Sequence, residues 1–253
     1  MITHFSETEL ARLTIEPLAR RERPAAYLHE REQVWTAQME KVLARGGQMW
    51  NGEIYTLEDI FSADPDQLVL RMSTCEYKDL VFRFLKGPAD IVKRYGPDHL
   101  VRFSGVNCVP LTQDGKYVFG IRADRPEQGQ PIGCIGGTLN QDEMVIHTFA
   151  DIRQCMLREI QEETALACQA QDLRFVGLYS VLCSHHFWFT LRLPLHSQEI
   201  NRCHRPGEFS SLIAISQEEA DRTELSTTRM LLQLRPYLHF LPQVLNGLSP
   251  LGA

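Results

Sequence analysis

The sequence predicts an α+β fold in which helices pack on a mixed sheet. Three observations carry this. A helix-spaced apolar pattern runs from Ala25 to Ala44. Short strand-like runs recur from Met49 to Leu57, Gln67 to Ser73, Gly105 to Pro110 and Tyr117 to Arg122. A second helical stretch, Ala150 to Thr164, lies between those strands and later ones at Leu173 to Val181, Phe187 to Leu193 and Phe209 to Ile215. Strands on both sides of a helix imply a mixed sheet with helices laid against it.

Along the chain, Pro24 can open the first helix, and Gly46-Gly47 ends it. Ser62-Ala-Asp-Pro-Asp66 has turn chemistry between two strands. Glu76-Tyr77-Lys78-Asp79 follows, and a short helix is expected over Ala89 to Arg94, stopped by Gly96-Pro97. The pattern changes near Leu100, so residues 1–99 are read as a smaller N-terminal α/β domain and 100–253 as the main domain. Asp114-Gly115 reads as a hairpin turn returning into Tyr117 to Arg122. Paired glycines at Gly136-Gly137 permit positive φ and close backbone approach. Thr227 to Tyr237 reads as a closing helix.

Composition excludes several classes. A net charge of −6 gives no electrostatic footprint for nucleic acid or an anionic membrane. No apolar run reaches the roughly 20 residues of a membrane span. The first residues, Met-Ile-Thr-His-Phe-Ser, lack the basic and apolar regions of a signal peptide. The seven cysteines show no CxxC spacing, so they read as reduced thiols of a cytoplasmic protein.

The chemistry concentrates in Arg158-Glu159-Ile160-Gln161-Glu162-Glu163. On a helix the three glutamates fall within an arc of about 100°, beside an apolar arc holding Met156, Leu157 and Ile160. Glu159 and Glu163 repel as i,i+4 neighbours, and Arg158 pairs with Glu162. Crowded carboxylates suit a hard cation such as Mg2+. Good helix formers in water give the same pattern, so the surrounding sequence must decide.

Gly136-Gly137 followed by Arg158 to Leu166 resembles the Nudix box, G-x5-E-x7-R-E-U-x-E-E-x-G-U with U apolar. The second half matches at Arg158, Glu159, Ile160, Glu162, Glu163 and Leu166, and departs at Ala165 where the family has Gly. The first Glu of the box would fall at Ala150. Twenty residues separate Gly137 from Arg158, so Thr138 to Phe149 reads as an insertion. Asp151 can supply the missing carboxylate, although Thr148 to Asp151 also has capping-box spacing. An interrupted box behind an N-terminal extension is similar to the UDP-glucose pyrophosphatase branch of the family. Gln48 to Tyr55, Leu68 to Ser73 and Glu76 to Asp79 have similar counterparts there, in the same order.

That resemblance implies a Nudix-like α/β/α sandwich and Mg2+-dependent hydrolysis of a nucleoside diphosphate sugar, with Mn2+ as an alternative ion. It implies Glu159 and Glu163 as main metal ligands, Glu162 and Asp151 as further ones, and the Gly136 carbonyl as a backbone ligand. Arg158 would orient Glu159 or Glu162, and Glu159 or Glu208 would act as base. Gly136 and Gly137, with Tyr55, Tyr77 and Lys78 from the N-terminal region, are the expected substrate contacts. A different nucleoside diphosphate derivative, or a non-catalytic nucleotide- or protein-binding role, stays open. His185 and His186 point to opposite faces of a strand, so they do not share a metal.

Overall fold

The structure is a computed structural model and describes residues 2–3, 10, 12–64, 67–123, 132–166, 168–181, 183–204 and 207–221. The helix expected over Thr227 to Tyr237 lies outside the described residues. The described chain is α+β with a mixed sheet. It divides into two compact units: Met1–Gly105 with Thr138–Ile152 and Leu178–His186, and Val106–Gly137 with Arg153–Gly177 and Phe187–Ala253.

In the first unit, helix α1 spans Ala25–Leu43 and buries Tyr27, Arg31 and Trp35, one stripe at i, i+4 and i+8. Strands β3 (Glu53–Asp64) and β4 (Gln67–Glu76) form a long antiparallel pair. Strand β2 (Thr14–Pro17) joins β4 in parallel, which makes the sheet mixed. Strand β5 (Phe103–Cys108) pairs with β3 at Thr56 and Phe103. The short β1 (Ile2–Thr3) pairs antiparallel with β9 (Arg174–Val181).

Helix α2 (Tyr77–Lys86) was not legible as a helix. Its start is a capping box in which Glu76 and Asp79 exchange side-chain and backbone bonds. Asp79 is fully buried and pairs with the buried Arg31 guanidinium at 2.9 Å, which ties α2 to α1. Gly87, at φ +85°, turns the chain directly into α3 (Pro88–Tyr95), which opens on a proline. Tyr27, Phe82 and Ile91 close the core between these three helices.

The segment read as an insertion is built into this unit by backbone bonds. Leu139 accepts from Tyr55 N–H at 2.9 Å, and Gln141 N–H donates to Glu53 at 2.8 Å. The extra residues therefore lie along β3.

In the second unit, β6 (Tyr117–Arg122) lies between β11 (Phe209–Ile215) and β7 (Ile132–Gly133), antiparallel to both. The Asp114-Gly115 turn is present, with Gly115 at φ +77°. The hairpin closes at this turn: Thr112 N–H donates to the Lys116 carbonyl and Val118 N–H to the Pro110 carbonyl, each across the reversal, with Leu111 and Tyr117 bridged antiparallel, and the return strand goes on to pair with β11 and β7. Strand β8 (Ile135–Thr138) pairs with β5. Helix α4 spans Phe149–Glu163, and β10 spans Ser184–Thr190. No described helix is long and apolar enough to cross a membrane. Cys75, Cys108, Cys134, Cys155, Cys168 and Cys183 are free thiols.

Candidate active site

Helix α4 explains the site from its periodicity. Met156 and Ile160 are fully buried, and Glu163 continues the same stripe as i+7 and i+3 from them. Glu163 is therefore drawn into the protein, at 7% exposure. Glu159 sits on the stripe's edge, with its side chain 15% exposed, and Glu162 falls outside it at 60%. The three glutamates are thus graded from core to solvent. A groove of about 590 Å³ lined by Gln154, Leu157, Gln161 and Ala165 runs along the other side of the helix, away from these carboxylates.

Two glycines of β8 sit at these glutamates, Gly136 packed on β5 and Gly137 on the helix side chain Glu159. Gly136 donates its N–H to Glu163 Oε2 at 2.8 Å. Gly137 lies under the Glu159 carboxylate, so close that a Cβ there would meet its oxygen at 2.3 Å. Glu163 Oε1 is buried and receives no hydrogen-bond donor. Glu208 lies close to the Glu163 carboxyl, and two carboxylates share a hydrogen bond only when one of them is protonated. Burial is the largest influence on Glu163 and raises its pKa far above the carboxylate range. The Glu208 charge adds to this, the Gly136 N–H opposes it, and Glu159 adds a smaller repulsion.

Arg158 reaches Glu159 at 3.8 Å and Glu162 at 3.6 Å, so it lies between the two carboxylates it was expected to orient. Glu208 forms an ion pair with Arg122. Nothing in the sequence singled out Arg122, since it ends an ordinary apolar strand. Cys134 also enters the site, donating its thiol to Asn107 Oδ1 at 3.1 Å, and its pKa is raised by burial and then by the Glu163 charge.

Asp151 serves as the helix cap. Its Oδ2 accepts from Thr148 N–H at 2.8 Å, Thr148 Oγ1 at 2.9 Å and His147 N–H at 3.0 Å. Burial opposes ionisation here, but the His147 and Thr148 donors prevail and hold the carboxyl below its usual range.

The expected substrate contacts of the first unit have structural partners. Lys78 Nζ pairs with Glu32 at 2.7 Å and Glu76 at 3.2 Å. Tyr77 packs against Trp50 with ring centroids 5.8 Å apart. Tyr55 is buried, and its hydroxyl accepts from Ile146 N–H at 3.0 Å. Tyr55→Phe should therefore lower stability by about 1–3 kcal/mol, because a buried N–H loses its acceptor. A denaturant midpoint unchanged from wild type would show that this bond does not support the fold. His186 is buried edge-on to Phe103, and His185 Nδ1 bonds Ser180 Oγ at 2.8 Å, so the two rings have separate partners.

Among the described residues, no three His, Cys, Asp or Glu side chains are gathered into a preformed metal cage. The donor chemistry still fits a hard cation. One buried carboxylate oxygen lacks a donor, and the two neighbouring carboxylates repel it.

No family model matches the chain, and no curated protein matches it. Solved structures do resemble it. A putative Nudix hydrolase family member from Chromobacterium violaceum is 15% identical, covering 58% of this chain and 81% of its own, with a TM-score of 0.40. The MutT protein from Methanosarcina mazei Go1 is 13% identical over 58% and 96% of the two chains, with a TM-score of 0.40. An Ap4A hydrolase from C. elegans is 12% identical over 57% and 99%, again with a TM-score of 0.40. No residue role is taken from these likenesses.

Proposed function

We propose that the chain is a Nudix-type pyrophosphohydrolase whose substrate is a nucleoside diphosphate sugar of the UDP-glucose or UDP-galactose type. The observation that carries this reading is the Glu163 carboxylate. It is buried, bonded on one oxygen by the Gly136 N–H and donorless on the other, within a cluster of acidic side chains. A carboxylate placed so at a cost to stability suits a site built for a cation. The Arg-Glu-Ile-Gln-Glu-Glu sequence that places it supports the Nudix assignment.

Glu159, Glu163 and the Gly136 carbonyl would hold Mg2+, with Glu162 reaching it through water, and Asp151 reserved to the helix cap. The ion supplies charge neutralisation on the diphosphate and acidifies water. The chain's own residues divide the remaining work. Arg158 orients Glu159 and Glu162. Glu208 or Glu159 accepts the proton as water attacks a phosphorus of the bridge. The bridging P–O bond breaks, releasing UMP and sugar 1-phosphate. Gly136 and Gly137 lend their backbone to the substrate phosphates, and Tyr55, Tyr77 and Lys78 mark the N-terminal region as the place to seek selectivity for base and sugar.

The test is turnover of UDP-glucose, UDP-galactose, ADP-ribose, GDP-mannose, a diadenosine polyphosphate and coenzyme A, each with Mg2+ and with EDTA. Metal-dependent UMP from the UDP-sugars is the expected result. Preferred cleavage of another compound would keep the hydrolase and discard the UDP-sugar. Absence of both turnover and metal binding would leave the carboxylates as a charged helix face and sink the reading.

A further inference from the structure

We propose that Arg122 is a positioning residue that holds Glu208 beside the buried Glu163 carboxyl and so completes the cation pocket. This rests on the metal-dependent reading above and adds a residue that neither the sequence pattern nor the glutamate helix contains.

The packing around Arg122 is unusually determined for a charged side chain. Its strand neighbour Gly120 leaves no room for a Cβ, because the Phe209 ring lies 2.2 Å from where one would stand. Phe209 is buried at 1% exposure on that glycine. The Arg122 guanidinium lies over the same ring, 5.9 Å from its centroid. Its aliphatic stem passes Gly133, whose missing Cβ would touch Arg122 Cδ at 3.5 Å. Two glycines and one ring thus fix the arginine, whose side chain is only 16% exposed.

The fixed guanidinium then forms an ion pair with Glu208. Glu208 needs this hold. Its side chain is 37% exposed, and a lone glutamate there would turn to water, away from the like charge of Glu163. Ala123 N–H donates to the Glu208 carbonyl at 2.8 Å, so the backbone on both sides of the pair is fixed as well. The arrangement places a carboxylate where repulsion alone would not leave one. That is the work of a residue acting through its partner.

The sign of the effect distinguishes positioning from bulk electrostatics. Removing a positive charge near a cation site strengthens cation binding by Coulomb's law. Removing a residue that positions a carboxylate there weakens it. Mn2+ affinity of the whole chain, read by electron paramagnetic resonance, separates the two without requiring turnover. Arg122→Gln is expected to weaken Mn2+ binding by roughly tenfold or more. Arg122→Lys should recover part of the loss. In a Glu208→Gln background, Arg122→Gln should cause no further weakening, because the Glu208 carboxylate through which the arginine acts is then gone.

Unchanged or tighter Mn2+ binding by Arg122→Gln would overturn the proposal. So would equal weakening with and without Glu208. If Arg122→Gln does not fold, Arg122→Lys and Glu208→Gln carry the test, and wild-type affinity in both would refute it. Wild-type protein that binds no Mn2+ would overturn the metal-site reading itself, and the inference with it.

Discussion

Replacing Glu163 by Gln is expected to lower Mg2+-dependent turnover by roughly a thousandfold while making the metal-free protein more stable. The two effects have one cause. Gln keeps an oxygen for the Gly136 N–H and is neutral at every pH, so the fold no longer has to hold a buried carboxyl protonated beside Glu208. The site, however, loses a ligand charge. The pH dependence has a definite sign. Burial raises the folded-state pKa of Glu163 above its ordinary 4.5, so its share of stability is complete below about 4.5 and is lost as pH rises toward the folded value. The stability gap between variant and wild type, measured by thermal unfolding in EDTA, should therefore widen from pH 4.5 upward. Saturating Mg2+ should close it by stabilising wild type alone. Turnover near the wild-type rate would remove Glu163 from the metal site. A gap independent of pH would show that the carboxylate is not desolvated as the structure has it.

Much of this site was legible because a helix projects side chains by a fixed rule. Spacing alone puts Glu159, Glu162 and Glu163 on one arc of a helix, and α4 spans all three. Spacing also contained a point that reading it as a separate acidic arc concealed. Glu163 continues the Met156-Ile160 stripe, so its desolvation follows from its position in the apolar pattern. Helix α2 was missed because Glu76 and Asp79 are unusual residues for a capping box, and because Asp79 and Arg31 are charged residues in core positions. Hydrophobic periodicity does not register a core that is paired by charge. The β6 partners were missed for a different reason. A turn signal specifies a local reversal of direction, whereas pairing with β11 and β7 is decided by contacts far away in sequence. Arg122 belongs to the same class, since its setting depends on Gly133 and Phe209 from other strands as well as on Gly120 of its own.

The paired glycines offer the clearest separation of fold from function, because neighbouring substitutions should fail in different ways. A Cβ on Gly136 would stand 2.1 Å from the Val106 carbonyl oxygen and 2.8 Å from Asn107 Cα, at a φ of +149°. Those neighbours are backbone atoms of β5 and cannot step aside without parting β8 from it. Overpacking and backbone strain each cost roughly 1–3 kcal/mol, so Gly136→Ala should lower stability by about 3–5 kcal/mol. The atoms nearest to a Cβ on Gly137 all belong to the Glu159 carboxylate, the far end of a flexible side chain. Gly137→Ala should accordingly fold with a near-normal denaturant midpoint, displace Glu159, and weaken both Mn2+ binding and turnover. Denaturant unfolding and Mn2+ affinity measured on both variants decide the matter. If Gly137→Ala binds Mn2+ like wild type, Glu159 does not act from where it rests against that glycine. If Gly136→Ala is as stable as wild type, β8 does not lie this close to β5, and the route by which the Gly136 N–H reaches Glu163 would have to be different.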